Sequence, residues 1–449
     1  MIFKIKKYVQ YCLKNFTNGY KISILRSKSN FLLLILFFFI NLNFPIRYSK
    51  ALTLEKSIED GIANNQELAI EMQKIENLKL QNWRVLQENL PAINLNFAKG
   101  NRQSKNLLLS QNYQQNQYTS KELQIEQNLF SGFSTFFNYE KYRLEYLKNL
   151  AIYNDKKQIL ANQIASLYSK IFYQEKIINN LDKILEFYEK ILKNERLRLK
   201  FGIITNLEIQ NLETAILKVS QQILVAKSEN FTNHQDFDLM AGFQAKNLEI
   251  SNQDVKEKII KYEPQLIDKN YSLQAKNFEL KILQEMQRLN YANFAPKISL
   301  QIGFSRQNNN NLYFPNQEIQ AKSVGLNMVI PIFQRGSEYL DFKQMQNNQN
   351  IAFDEYNFLK QKLLNELKKD CFELENALLN QQKCWEMQKI IDDKINDAKY
   401  KLIAKFDNIN NLYFLQISNL EAQIQCHRNQ VNIDNLHFKI LANIGGMNV

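Results

Sequence analysis

Residues 296–304 run Pro296-Lys297-Ile298-Ser299-Leu300-Gln301-Ile302-Gly303-Phe304. Ile298, Leu300, Ile302 and Phe304 alternate with Ser299, Gln301 and Gly303. Period two with one apolar and one polar face is the pattern of a strand between two different media. The pattern recurs 205 residues earlier in Pro91-Ala92-Ile93-Asn94-Leu95-Asn96-Phe97. Each copy has a partner that alternates too. Leu123, Ile125 and Leu129 interleave with Gln124, Glu126 and Asn128, and Val324, Leu326, Met328 and Ile330 with Gly325 and Asn327. Strands are therefore expected at 92–103, 118–130, 297–306 and 322–332. Polar connections rich in Asn, Gln and Ser join them.

The surrounding punctuation repeats as well. Phe130 recurs as Phe333, Gly132 as Gly336, Phe201 as Phe406, Leu207 as Leu412 and Gly242 as Gly446, at offsets of 203 to 205. A duplication in register constrains the fold before propensity is consulted. The expected organisation is a leader (1–51), a first repeat (52–245), an inter-repeat segment (246–262) and a second repeat (263–449). Each repeat carries a helix, two strands and a long helical hairpin.

Glycine (11) and proline (6) are scarce, which leaves long stretches without breakers. Leu160, Ile164, Leu167, Ile171, Gln174, Ile178, Leu181, Leu185, Tyr188 and Leu192 form a heptad seam, widened by Ile177, Ile184 and Ile191. A helix over 134–200 would be about 100 Å long. The hairpins are expected to turn near 202 and near 407. Gly202 suits a left-handed helix stop, Thr205 or Asn206 caps the returning helix, and Asp407 stands where a glycine is expected.

The net charge of +12 points towards nucleic acid, but its distribution does not. Residues 1–51 hold nine Lys/Arg and no acid, which leaves +3 for the rest. A near-neutral body lacks the basic field that phosphate binding needs. The basic leader precedes ten apolar residues, Phe31–Ile40, too few to span a bilayer and suited to a secretory signal peptide. Cleavage is expected after Ala51; an uncleaved anchor is the other reading. Three cysteines follow. Cys371 and Cys384 stand about 20 Å apart on one helix and cannot bridge. Cys384 and Cys426 meet only if the helices around 407 are antiparallel, and buried free thiols are the expected state.

Four strands cannot close a barrel alone. Their length matches membrane strands, and lipid does not tolerate open edges, so membrane strands would need several chains to share one barrel. A small soluble β-domain on a coiled-coil stalk is the competing reading.

Taken in order, these motifs resemble the TolC family of outer membrane efflux proteins. Leu52-Thr53-Leu54-Glu55-Lys56-Ser57-Ile58 resembles its opening helix. Leu90-Pro91-Ala92-Ile93 and Ala295-Pro296-Lys297-Ile298 resemble its helix-to-strand junctions. Leu129-Phe130-Ser131-Gly132 and Pro331-Ile332-Phe333-Gln334-Arg335-Gly336 resemble its strand-to-helix junctions, and Gly202-Ile203-Ile204-Thr205-Asn206-Leu207-Glu208 its first periplasmic tip. The resemblance implies a mainly α fold with a membrane β-barrel contribution. It implies a homotrimer with a twelve-strand barrel in outer membrane lipid and a twelve-helix tunnel across the periplasm. It implies passive export, with a periplasmic adaptor protein and an inner-membrane transporter as partners. Adaptor docking would fall on Gly202, Ile203 and Thr205, and on Asp407, Asn408 and Asn410. Acidic residues at the tunnel entrance would be drawn from Asp392, Asp393 and Asp397, for which a solvated helix face is the plainer reading.

No enzymatic chemistry, metal site or cofactor is expected. His234, His427 and His437 are scattered, and no nucleophile constellation, phosphate loop or dinucleotide fingerprint occurs. The alternative function is a periplasmic adaptor or coiled-coil scaffold, which would carry one hairpin and no duplication.

Overall fold

The computed structural model describes residues 53–104, 114–242, 261–310, 317–333, 335–404 and 408–447. The leader and its cleavage site, Leu52, Gln334, Phe406, Asp407 and residues 243–260 of the inter-repeat region lie outside them. Residues 51–449 form one compact unit.

The elements run α1 (Leu54–Asn64), α2 (Gln66–Gln87), β1 (Ala92–Ser104), β2 (Gln114–Ser131), α3 (Ser134–Lys200), α4 (Asn206–Ala241), a 3-10 turn (Pro264–Lys269), α5 (Tyr271–Ala292), β3 (Lys297–Asn310), β4 (Gln317–Val329), α6 (Ser337–Ile403) and α7 (Ile409–Asn443). All four strands extend beyond the expected segments into the Asn- and Gln-rich connections, because ladder hydrogen bonds need only backbone. At its other end β4 stops at Val329, short of the expected 332, just before Pro331, which has no N–H to donate.

The four strands form one antiparallel sheet in the order β1-β2-β3-β4. The register aligns apolar residues across all of them. Ile93 faces Ile125, which faces Ile302, which faces Val324. The neighbouring row is Leu95, Leu123, Phe304 and Lys322. Asn94, Gln124, Gly303 and Ser323 make up a row of the opposite face. A bulge in β2 between Asn128 and Phe130 sets Leu129 outside the ladder.

Below the sheet, the long helices pack in the order α4–α3–α7–α6, with α2 and α5 laid against α3 and α5 also against α6. Cations on the long helices and α5 hold these contacts. Lys156 Nζ lies 2.7 Å from Glu67 and 3.0 Å from Glu71, and Lys276 2.8 Å from Glu355. The hydrogen bonds from Lys156 and Lys74 hold the Glu71 carboxyl below its ordinary range. Along α3 the core follows Leu160, Ile164, Leu167 and Ile171 where α1 and α4 cover it. Beyond Gln174 it moves onto Ile177, Leu181, Ile184 and Ile191. Ile178, Leu185 and Tyr188, expected in the seam, are only partly buried. The change of face accompanies a change of partners, since this half of α3 packs against the lower parts of α4 and α7.

The strand-to-helix corners correct the expected equivalence of Gly132 and Gly336. Each corner is a pair of left-handed residues, Gly132-Phe133 and Arg335-Gly336. The helices then begin at Ser134 and Ser337, so the corners superpose at an offset of 203, glycine against non-glycine. The left-handed counterpart of Gly242 is likewise Gly445, not Gly446. Cys384 and Cys426 also depart from expectation. They are joined in a disulfide with Cα atoms 5.8 Å apart, because α6 and α7 do run antiparallel and bring them face to face. Cys371 is a buried free thiol.

Candidate functional site

The first tip is built by its caps. Gly202 takes φ +69 and ends α3, while Thr205 N–H donates to Glu208 Oε2 at 2.7 Å and starts α4. Gly202, Ile203 and Thr205 are exposed, beside exposed Phe201 and Leu207. In the second tip Asn408 caps α7, its Oδ1 accepting from Asn410 N–H at 3.1 Å. Three residues separate C-cap from N-cap in both tips, Phe201 to Thr205 and Ala404 to Asn408. Asp407, the expected counterpart of Gly202, lies outside the described residues.

Asn410 departs from its expected place at a docking surface. It is only 4% exposed and turns onto α3. Its side chain accepts from Asn194 Nδ2 at 2.8 Å and donates to Glu195 Oε1 at 2.6 Å. Two further polar rungs tie α3 to α7: Ser169 Oγ donates to Asp434 at 2.7 Å, and Asn180 Nδ2 to Gln423 at 3.3 Å. These rungs join the two hairpins and fix their antiparallel register. They leave no periodic sign in the sequence, because polar residues inside a seam look like interruptions.

Asp392, Asp393 and Asp397 are all exposed on α6, but they do not act as one set. Asp392 accepts from Asn419 of α7 at 2.9 Å, and Asp397 pairs with Lys401 at 2.7 Å. At about 100° per residue, Asp393 and Asp397 share the face opposite buried Ile395, and Asp392 is turned towards α7.

The sheet supplies the larger surface. Ile93, Leu95, Phe97, Val324, Leu326 and Met328 are all exposed, as no part of the described chain covers them. The apolar band is also slanted. Its edge away from the helices shifts from the row of Phe97 in β1 to the row of Val324 in β4, two register rows. Two rows are about 13 Å of strand across about 14 Å of sheet, a slant of about 40°. Strands of a membrane barrel tilt by about 35–45°, so a horizontal lipid boundary would cut them along this line. Two further apolar stripes are uncovered: Leu217, Leu224 and Phe231 on α4, and Ile351, Phe358, Phe372 and Leu379 on α6. Both follow a seven-residue spacing, on the two outermost helices of the layer.

No helix among the described residues is long and apolar enough to cross a membrane, and none of their His, Cys, Asp or Glu groups is placed to hold a metal ion. A cavity of about 470 Å³ is an open groove lined by Lys170, Gln174, Ser228, Glu229, Thr232 and Arg428, among others.

The same architecture occurs in solved structures. The outer membrane protein VceC of Vibrio cholerae superposes with a TM-score of 0.73 at 13% identity, covering 88% of this chain and 96% of its own. The CmeC outer membrane channel of Campylobacter jejuni gives 0.74 at 12% identity, covering 88% and 85%. CusC, described with its transmembrane channel formation, gives 0.73 at 14% identity, covering 88% and 92%. This chain has their fold. It is the fold expected from the resemblance to the TolC family, and CmeC and CusC among these neighbours are channel proteins. No protein-family model and no curated protein sequence matches the chain.

Proposed function

We propose that the protein is a homotrimeric outer membrane channel-tunnel for passive export, coupled to an inner-membrane transporter through a periplasmic adaptor. The observation that carries this reading is the sheet: four strands, open at both edges, with an uncovered apolar band slanted at the tilt of a membrane barrel. Open edges in lipid are costly, so β1 and β4 need partners. An even strand number puts β4 of one copy antiparallel to β1 of the next, and three copies give twelve strands. The uncovered stripes of α4 and α6 lie where neighbouring copies would meet, completing a ring of twelve helices. The opposite, polar face of the sheet would line the pore.

Ile203 and Thr205 of the first tip and Asn408 of the second are the residues offered to an adaptor. Asp393 and Asp397 are the candidates for an acidic ring at the entrance, where threefold repetition would multiply their field. Cell fractionation tests the reading. The expected result is a heat-modifiable trimer in the outer membrane fraction, and recovery as soluble or inner-membrane protein would contradict it.

A further inference from the structure

The apolar band of the sheet ends in a line of cations. Lys99, Lys121, Arg306 and Lys322 stand one to each strand, on the side away from the helices. Each lies two residues beyond the last apolar residue of its strand on that face: Phe97, Leu123, Phe304 and Val324. Directly opposite residues share a face, so the register places all four cations on the apolar side. Lys121 Nζ accordingly lies 5.9 Å from the centre of the Phe97 ring. The polar face at this level carries Ala98, Ser120, Glu122, Ser305, Gln307, Ala321 and Ser323, with no cation. Glu318 holds Arg306 in a two-pronged pair, at 2.6 and 2.8 Å. Lys99, Lys121 and Lys322 have no acidic partner among the described residues.

We propose that this line binds the phosphate groups of an anionic lipid headgroup in the leaflet around the far end of the sheet. The inference rests on the reading that the apolar band is covered by lipid. A cation that follows immediately on a lipid-covered residue extends its ammonium into the headgroup layer, where phosphate is the available counter-ion. The cations follow the same slant as the band, so they share one level of the membrane. Three unpaired ammonium groups, two on the adjacent strands β1 and β2 and the third on β4 beyond Arg306, suit a headgroup with more than one phosphate, since each can make a charge-assisted hydrogen bond.

The test uses the full chain reconstituted in phosphatidylcholine vesicles, with conductance as the sign of insertion. Native mass spectrometry then counts retained lipid A carrying two phosphates, against the same lipid dephosphorylated. The protein is expected to retain the phosphorylated form selectively. The triple variant Lys99→Gln, Lys121→Gln, Lys322→Gln should lose about tenfold or more of that retention while still conducting. Lys297→Gln, on the other face, should retain it in full. If the triple variant does not insert, the three single variants replace it, each expected to lower retention severalfold. Equal retention by variant and parent, or of both lipid forms, would reduce the lysines to groups reaching for water and overturn the site, while conductance leaves the channel reading standing. A protein that inserts into no vesicle overturns the channel reading and this site with it.

Discussion

At the scale of single residues, the two strand-to-helix corners show how a duplicated fold tolerates unequal sequences. Each corner needs two consecutive left-handed residues, and each repeat supplies one glycine, at alternate positions. The non-glycine partners, Phe133 at φ 66 and Arg335 at φ 63, carry a cost of about 1–2 kcal/mol each. Arg335→Gly is therefore expected to raise the thermal midpoint of the protein. Gly132→Ala should lower it more than Gly202→Ala does. A Cβ on Gly132 would sit 2.6 Å from both Ala292 O and Ala295 Cβ, whereas Gly202 has nothing within 4 Å. Equal loss at the two sites, read by thermal denaturation, would contradict the packing argument. A second residue-scale expectation concerns His427, set against Tyr173 with ring centres 5.6 Å apart. Burial, and then the charge of Lys176, hold its pKa below 6.5. Its lowered pKa means that the unfolded chain takes up the proton first. This contribution to stability is full above 6.5 and is lost as pH falls through the lowered value. His427→Gln should flatten the fall in thermal midpoint between neutral and mildly acidic pH.

At the scale of elements, the second hairpin is stapled and the first is not. The Cys384–Cys426 bond spans a sequence separation of 42 residues around the tip. Closing such a loop constrains the unfolded chain by about 4 kcal/mol in the chain-entropy account. Reduction should speed amide exchange across the lower parts of α6 and α7 and leave α3 and α4 unchanged; an equal effect on both hairpins would count against the staple. On the outer face of α6, Asp393→Ala should weaken cation block of single channels, and Asp392→Ala, whose carboxylate is engaged by Asn419, should change it less. Unchanged block in the Asp393 variant would remove that residue from an acidic ring. Strands, long helices and tips were legible in the sequence because period two, the heptad and isolated glycines act over short range. The shift of the α3 core from Ile178 to Ile177, the rungs to Asn410 and Asp434, and the disulfide were not. Each depends on which helix lies opposite, and that is decided by packing between hairpins distant in sequence.

At the scale of the whole molecule, three separate surfaces are unfinished among the described residues. The sheet has two free edges, its apolar band is bare, and α4 and α6 carry uncovered seven-residue stripes. One rotation that sets β4 beside β1 of a second copy, and α4 beside α6, completes the edges and the stripes together and leaves only the band for lipid. In the proposed trimer this contact closes the ring. Paired cysteines on the polar faces of the edge strands, Asn96→Cys with Gly325→Cys or Asn94→Cys with Ser323→Cys, test it in a Cys371→Ser background with the native disulfide intact. Under oxidation in intact membranes, disulfide-linked species that end at three chains on non-reducing gels are expected. Monomer alone from every pair, or a ladder that continues past three, would contradict it.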